Sequence, residues 1–128
     1  MSDQNSPPQP TKPELAILKL LWENEPLSAR AVDAGVSAAF EWSFSTLRTV
    51  LERMVDKGLL EKSHAGGVNV YSPAIGKVSL LGRMIEDFTS RVLEIDAAPA
   101  AVMFADSKLL SDDELIELEA MLQKGDDE

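Results

Sequence analysis

From Ser43 onward the chain sets out Ser43, Ser45, Thr46, Arg48, Thr49 and Arg53 in close succession. These are hydroxyls and guanidinium groups, not nucleophiles, metal ligands or paired acids. Donors of this kind suit two tasks: holding phosphate oxygens and reading the edges of bases, with a threonine methyl also able to meet the methyl of thymine. Elsewhere the chain holds little for other chemistry. It has one histidine, His64, and no cysteine, which excludes disulfides and thiolate metal sites. His64 lies in a turn without partners for metal or proton-transfer work. Gly66-Gly67 lacks the strand-to-helix setting of a phosphate loop, and Ser111-Asp112-Asp113-Glu114 lacks the alternating spacing of a calcium loop. No enzyme activity, metal or cofactor is expected.

The element that must carry these donors is the stretch Glu41 to Gly58, EWSFSTLRTVLERMVDKG. At ~100° per residue, Leu47, Val50, Leu51 and Met54 fall on one stripe flanked by Phe44 and Val55, which must be buried. Ser45, Thr49, Glu52 and Asp56 take the opposite face, with Thr46 and Arg53 on one border and Arg48 on the other. Ser43 suits the N-cap and Gly58 the C′ position. By itself this is also the pattern of an ordinary solvated surface helix.

Its surroundings favour recognition. Met1 to Pro10 is polar, Pro-rich and aperiodic, so residues 1–10 are expected to form a disordered tail. Thr11 and Glu14 form a capping box, Pro13 suits a first turn, and Leu15, Leu18, Leu21 and Trp22 predict a helix ending near Glu23. Leu27 fits a very short strand, and Ser28 caps a second helix, Ala29 to about Ala39, with Val32 and Val36 inward and Gly35 weakening it. After Gly58 the period changes to alternation: Leu59 to Ser63, a turn at Ala65-Gly66-Gly67, then Val68 to Pro73, a β-hairpin. Three helices and a hairpin, the third helix polar outside, is the order of a winged helix-turn-helix at residues 11–74. In that arrangement the third helix enters the major groove and the wing follows the backbone. Arg30, Arg53, Lys57 and Lys62 are the cations expected to hold phosphates.

Ala74 to Gly76 reads as a joint. Beyond it, Val78, Leu81, Met84, Ile85, Phe88, Val92 and Ile95 keep a helical repeat over Lys77 to Ile95. Ala97-Ala98-Pro99 interrupts, residues 100–105 are a short helix candidate, and Ser111 with Glu114 opens a last helix, Asp112 to Gln123, with Leu115, Leu118, Met121 and Leu122 on its apolar side and Gly125 to end it. This region, 77–124, is short for an independent core. Its stripes either fold back on the first half or meet a second copy of the chain. The long helix and the joint favour a homodimerising arm through Leu81, Met84, Ile85, Phe88, Val92, Leu115, Leu118 and Leu122. The fold class is therefore mainly α with a small β-hairpin: an N-terminal winged helix-turn-helix followed by a C-terminal helical arm.

The net charge of −10 runs against a DNA partner, but it is unevenly placed. Residues 1–76 hold seven Lys/Arg and nine Asp/Glu, and residues 77–128 hold five and thirteen. The first half is thus free to carry a locally basic face while the arm repels DNA. The rival that the charge motivates is a winged helix that binds protein instead, as an adaptor or anti-regulator. No apolar run approaches the ~18 residues of a membrane span and the N-terminus has no apolar targeting core, so a cytoplasmic protein without membrane insertion is expected.

Several segments carry a family resemblance: PELAILKLLWENEPLSARAV, WSFSTLRTVLERMVDKGLL, VNVYSP and AAVMFADSKLLSDDELIELEAML. Across roughly residues 11–123 the chain resembles the penicillinase-repressor (BlaI/MecI) family. The most specific matches are Trp42-Ser43 with Thr46-Leu47-Arg48-Thr49, then Arg53, Lys57-Gly58 and Tyr71-Ser72-Pro73. The resemblance implies a homodimeric transcriptional repressor on palindromic double-stranded DNA operators. In several members a membrane-bound sensor protease relieves repression by cutting the C-terminal arm. It also implies Ser43, Thr46, Arg48, Thr49 and Arg53 as recognition-helix positions and Tyr71 as a wing residue near the backbone. The chain departs from the pattern in five places. Ser45 and Asp56 stand where basic residues are common, Glu52 is an unusual outer-face residue, and the wing tip His64-Ala65-Gly66-Gly67 has no arginine. Met103-Phe104 stands where some relatives carry an Asn-Phe cleavage bond. Fewer cations imply weaker non-specific binding and a shallower salt dependence.

Overall fold

The structure, a computed structural model, describes residues 9–94 and 107–126, with side chains as far as Gln123. The expected break at Ala97-Ala98-Pro99, the helix candidate at 100–105, Met103-Phe104 and most of the N-terminal tail lie outside the described residues. The element order is α1 (Lys12–Glu23), β1 (Leu27–Ser28), α2 (Ala29–Phe40), α3 (Phe44–Asp56), β2 (Leu60–Ala65), β3 (Val68–Pro73), α4 (Lys77–Phe88) and α5 (Asp112–Asp126), with a π-helical turn at Thr89–Leu93. The chain divides after Gly76 into two units. Among the described residues no helix is long and apolar enough to cross a membrane.

In the first unit, local chemistry sets the helix ends. The Glu14 amide donates to Thr11 Oγ1 at 3.3 Å and the Thr11 amide to Glu14 Oε1 at 2.9 Å, completing the α1 capping box. Ser28 and Ser43 accept from the amides of Ala31 and Thr46 and so cap α2 and α3. At the far end of α3, Gly58 adopts φ +84°. Its amide donates to the Val55 carbonyl at 3.0 Å while that of Leu59 reaches the Met54 carbonyl at 2.9 Å, the paired bonds of a Schellman motif. Met54 and Leu59 are both fully buried across that turn.

The core of this unit is built from Ile17, Leu18 and Leu21 of α1, Val32 and Val36 of α2, and Leu47, Leu51 and Met54 of α3, with Leu59, Leu60, Val70 and Tyr71. Ile17, not Leu15, is the buried partner of Leu18 and Leu21, so the α1 stripe is rotated from the expected one. Trp22 is half-buried, and its indole N–H donates to the Ile75 carbonyl at 3.0 Å. Gly35 is explained by proximity: a Cβ there would lie 2.6 Å from Leu20 Cδ2. The missing side chain lets α2 approach α1 closely.

A three-stranded antiparallel sheet, in the order β1-β3-β2, completes the unit. β1 pairs Leu27 with Tyr71, and β2 pairs Lys62 with Tyr71 and Ala65 with Val68. Gly66 and Gly67 both have positive φ, at 61° and 83°, the requirement of a tight two-residue hairpin turn.

In the second unit α4 and α5 pack through Val78, Leu118 and Leu122, with Ile85, Leu110 and Met121 around them. Ser111 and Glu114 cap α5 reciprocally. Lys77 Nζ lies 3.0 Å from Glu114 Oε1 and 2.9 Å from the Leu109 carbonyl, tying the two helix starts together. The helix from Lys77 is α as far as Phe88 and then widens to a π turn at Thr89–Leu93; the buried Thr89 hydroxyl donates to the Ile85 carbonyl at 2.9 Å and competes with the regular ladder. Ile95, the expected end of this helical repeat, lies outside the described residues. One expectation is corrected here: Gly125 does not end α5, which continues to Asp126.

Candidate nucleic-acid interface

The outer side of α3 follows from its inner side. Because Leu47, Leu51 and Met54 are fully buried, helical geometry turns Ser45, Thr46, Arg48, Thr49, Glu52, Arg53 and Asp56 outward, and all seven are exposed. Ser43 stands at the cap, its hydroxyl donating to Thr46 Oγ1 at 3.0 Å. Thr49 Oγ1 donates to the Ser45 carbonyl at 3.2 Å, which settles its proton locally and leaves its oxygen lone pairs and methyl facing out.

At the N-terminal end of α3, Phe44 works as a platform. The Arg30 guanidinium from α2 lies 3.8 Å above its ring centroid, and that of Arg48, one turn along α3, lies 6.0 Å away. Stacking of this kind contributes about 0.5–1 kcal/mol at an exposed site and holds a cation without neutralising it. Among the described residues Arg30, Arg48 and Arg53 make no ion pair. Phe44, Arg30 and Arg48 also line a depression of about 360 Å³, with Ser28, Asn69 and Tyr71 on its other walls. The start of α2, the start of α3 and the wing strand β3 therefore meet at one open concavity with two guanidinium groups on its rim, neither in a salt bridge among the described residues, though the Arg48 charge also helps to lower the pKa of Glu52.

Other expected cations are engaged. Lys57 Nζ lies 2.7 Å and 2.8 Å from the two carboxylate oxygens of Glu14, bracing the end of α3 against α1. Burial raises the pKa of Glu14, but the hydrogen bonds from Lys57 and the Thr11 amide outweigh it and leave the carboxyl below its ordinary value. On the wing, Lys62 Nζ lies 3.0 Å and 3.3 Å from the Glu52 carboxylate oxygens, and the Tyr71 hydroxyl donates to the same group at 2.8 Å. Those bonds, from Tyr71 first and Lys62 second, lower the pKa of Glu52. Tyr71 is pushed up to about 12, by burial first and then by the carboxylate it donates to. His64 Nδ1 lies 3.0 Å from Asn69 Oδ1 across the hairpin.

Of the sequence-predicted donors, then, Ser43, Ser45, Thr46, Arg48, Thr49 and Arg53 share the open face of α3, and Arg30 joins them through Phe44. Lys62 and Tyr71 stand beside it on Glu52, and Lys57 is tied to α1. Phe44 and Asn69 were missed. Phe44 counts as a core flank by periodicity, and only the packing of α2 against α3 brings Arg30 onto its ring.

The residues expected to dimerise divide likewise. Leu118 and Leu122 are fully buried within their own unit. Leu81, Met84, Ile85 and Phe88 line an apolar groove of about 490 Å³ with Leu93, Leu109 and Leu110. Phe88 and Val92 are 52% and 61% exposed, and Leu115 is half-buried.

Comparison with known proteins bears on this geometry. Over 117 residues the chain is 27% identical to the penicillinase repressor of Bacillus licheniformis, covering 91% of each chain. It is 22% identical over 111 residues to the methicillin resistance regulatory protein MecI of Staphylococcus aureus, covering 87% of this chain and 90% of that one. It is 26% identical over 91 residues to the transcriptional regulator BlaI of Mycobacterium tuberculosis, covering 70% and 66%. The sequence profile described as Penicillinase repressor matches residues 10–124, nearly the whole chain, and the protein belongs to that family of transcriptional repressors, which are not enzymes.

Proposed function

We propose that the chain is a sequence-specific repressor that binds a two-fold double-stranded DNA operator as a homodimer in the cytoplasm. The chief support is the Arg30–Phe44–Arg48 cluster: two guanidinium groups, unpaired among the described residues, held at the end of an exposed polar helix face. With α3 in the major groove, Ser43, Ser45, Thr46, Arg48 and Thr49 meet base edges and Arg30 and Arg53 meet phosphates, so phosphate contacts position the protein and base contacts choose the site. Two copies of α3 then sit about one helical turn, ~34 Å, apart.

The dimer is assigned to the arm. A second copy would cover the apolar groove of Leu81, Met84, Ile85 and Phe88 and the exposed Val92, while Leu118 and Leu122 support the groove from within. Relief of repression by proteolysis belongs to the same proposal: a sensor protease that cuts the arm removes dimer contacts and with them operator affinity. Fluorescence-anisotropy titration against DNA from the protein's own promoter region, repeated over a salt series, is expected to give saturable binding that weakens as salt rises. Its absence would overturn the proposal and favour the winged helix as a protein-binding module.

A further inference from the structure

Glu52 is an acid on the face of α3 that would approach DNA, half exposed, with a lysine and a tyrosine from the wing bonded to it. A carboxylate offers two anionic oxygens to donors much as a phosphate does. Lys62 and Tyr71 both reach α3 from the wing, and both are already occupied by its Glu52 carboxylate. From this geometry we infer that Glu52 is an internal competitor for DNA phosphate: it holds Lys62 and Tyr71 in the free protein and so lowers background affinity for DNA of arbitrary sequence. The inference rests on the DNA-binding function proposed above.

A phosphate must displace Glu52 to reach Lys62 or Tyr71, and the displaced carboxylate is then left near the polyanion. Both effects oppose loose contacts. A well-seated site offsets them through base contacts along α3, which a random sequence does not supply. Other acids on this face have no such hold: Asp56, on the same face, has no partner among the described residues. It therefore provides a control of equal charge.

The test measures binding of the full chain to a mixed-sequence duplex over a salt series, with promoter DNA alongside, for wild type, Glu52→Gln, Asp56→Asn and Glu52→Gln with Lys62→Ala. Glu52→Gln is expected to bind the mixed-sequence duplex several-fold more tightly at low salt, with a salt slope steeper by about one unit as Lys62 gains a phosphate. Asp56→Asn should leave the slope unchanged, and adding Lys62→Ala should return it to the wild-type value. Tyr71 is the only tyrosine, so a single ¹³Cζ tyrosine NMR signal reports its hydroxyl directly; it should move on Glu52→Gln and again when duplex is added to wild type. Salt-sensitive wild-type binding with equal slopes in Glu52→Gln and Asp56→Asn would overturn the inference alone. No binding of either duplex by any variant would overturn it together with the proposed function.

Discussion

At the residue scale, the proposed DNA interface rests on a few side chains whose polar groups are left open by their neighbours. Arg48 is stacked but not neutralised, and Thr49 has committed only its proton. Arg48→Ala and Thr49→Ala are each expected to weaken operator binding by ~1–3 kcal/mol in anisotropy titrations. Both residues are exposed, so thermal melts should hardly change. If melting temperature fell while affinity held, these side chains would serve the fold and not recognition. Lys57 shows the opposite case. Residue type alone put it among the expected phosphate contacts; its amine is paired with a buried carboxylate on α1, which braces the end of α3.

At the element scale, the C-terminal end of α3 must be held for its outer face to keep a fixed direction. Its C-terminal stop depends on Gly58 at φ +84°, a conformation that costs a residue with a Cβ roughly 1–2 kcal/mol. Gly58→Ala meets no neighbour within 4 Å, so chemical denaturation should show a loss of about that size from backbone strain alone. The Glu14–Lys57 pair provides the second brace, and its effect depends on pH. Because the folded-state pKa of Glu14 is lowered, its contribution is present above the ordinary carboxylate value near 4.5 and is lost as pH falls through the folded value. Lys57→Met leaves a buried carboxylate short of a partner and should lower stability at neutral pH by about 1–3 kcal/mol. The gap from wild type should narrow in melts taken at progressively lower pH below that value; a constant gap would mean that Lys57 acts through packing and not through Glu14.

At the scale of the whole molecule, charge and apolar surface are distributed by unit. The segment from Lys77 carries most of the net charge of −10, and it also holds the apolar groove bounded by Leu81, Met84, Ile85 and Phe88. An exposed apolar face on a strongly acidic helical pair is unsuited to DNA and supports the proposed contact with a second copy. Phe88 and Val92 are more than half exposed, so charging them should not disturb folding of the chain. Phe88→Glu with Val92→Glu is expected to sediment as a monomer with helical content retained, and to lose operator affinity because one recognition helix replaces two. A doubly substituted chain that remains dimeric would move the dimer contacts elsewhere.

What the sequence by itself determined is the set of features made by residues close along the chain. Thr11 with Glu14, Ser28, Ser43 and Ser111 with Glu114 cap their helices, and Gly58 and Gly66-Gly67 turn the backbone, because each acts within a few residues and needs no tertiary partner. The winged-helix order followed from those signals and from the change of period after Gly58. Tertiary structure decided the pairings between distant residues: Glu14 with Lys57, Glu52 with Tyr71, Arg30 over Phe44, and Gly35 against Leu20. Such contacts depend on which helix faces meet and at what distance. A stripe of apolar residues specifies that a face is buried but not which side chains its borders will touch. For that reason the donors on α3 were legible in the chain, while the division between cations left open and cations already held emerged only when α1, α2 and the wing were packed around it.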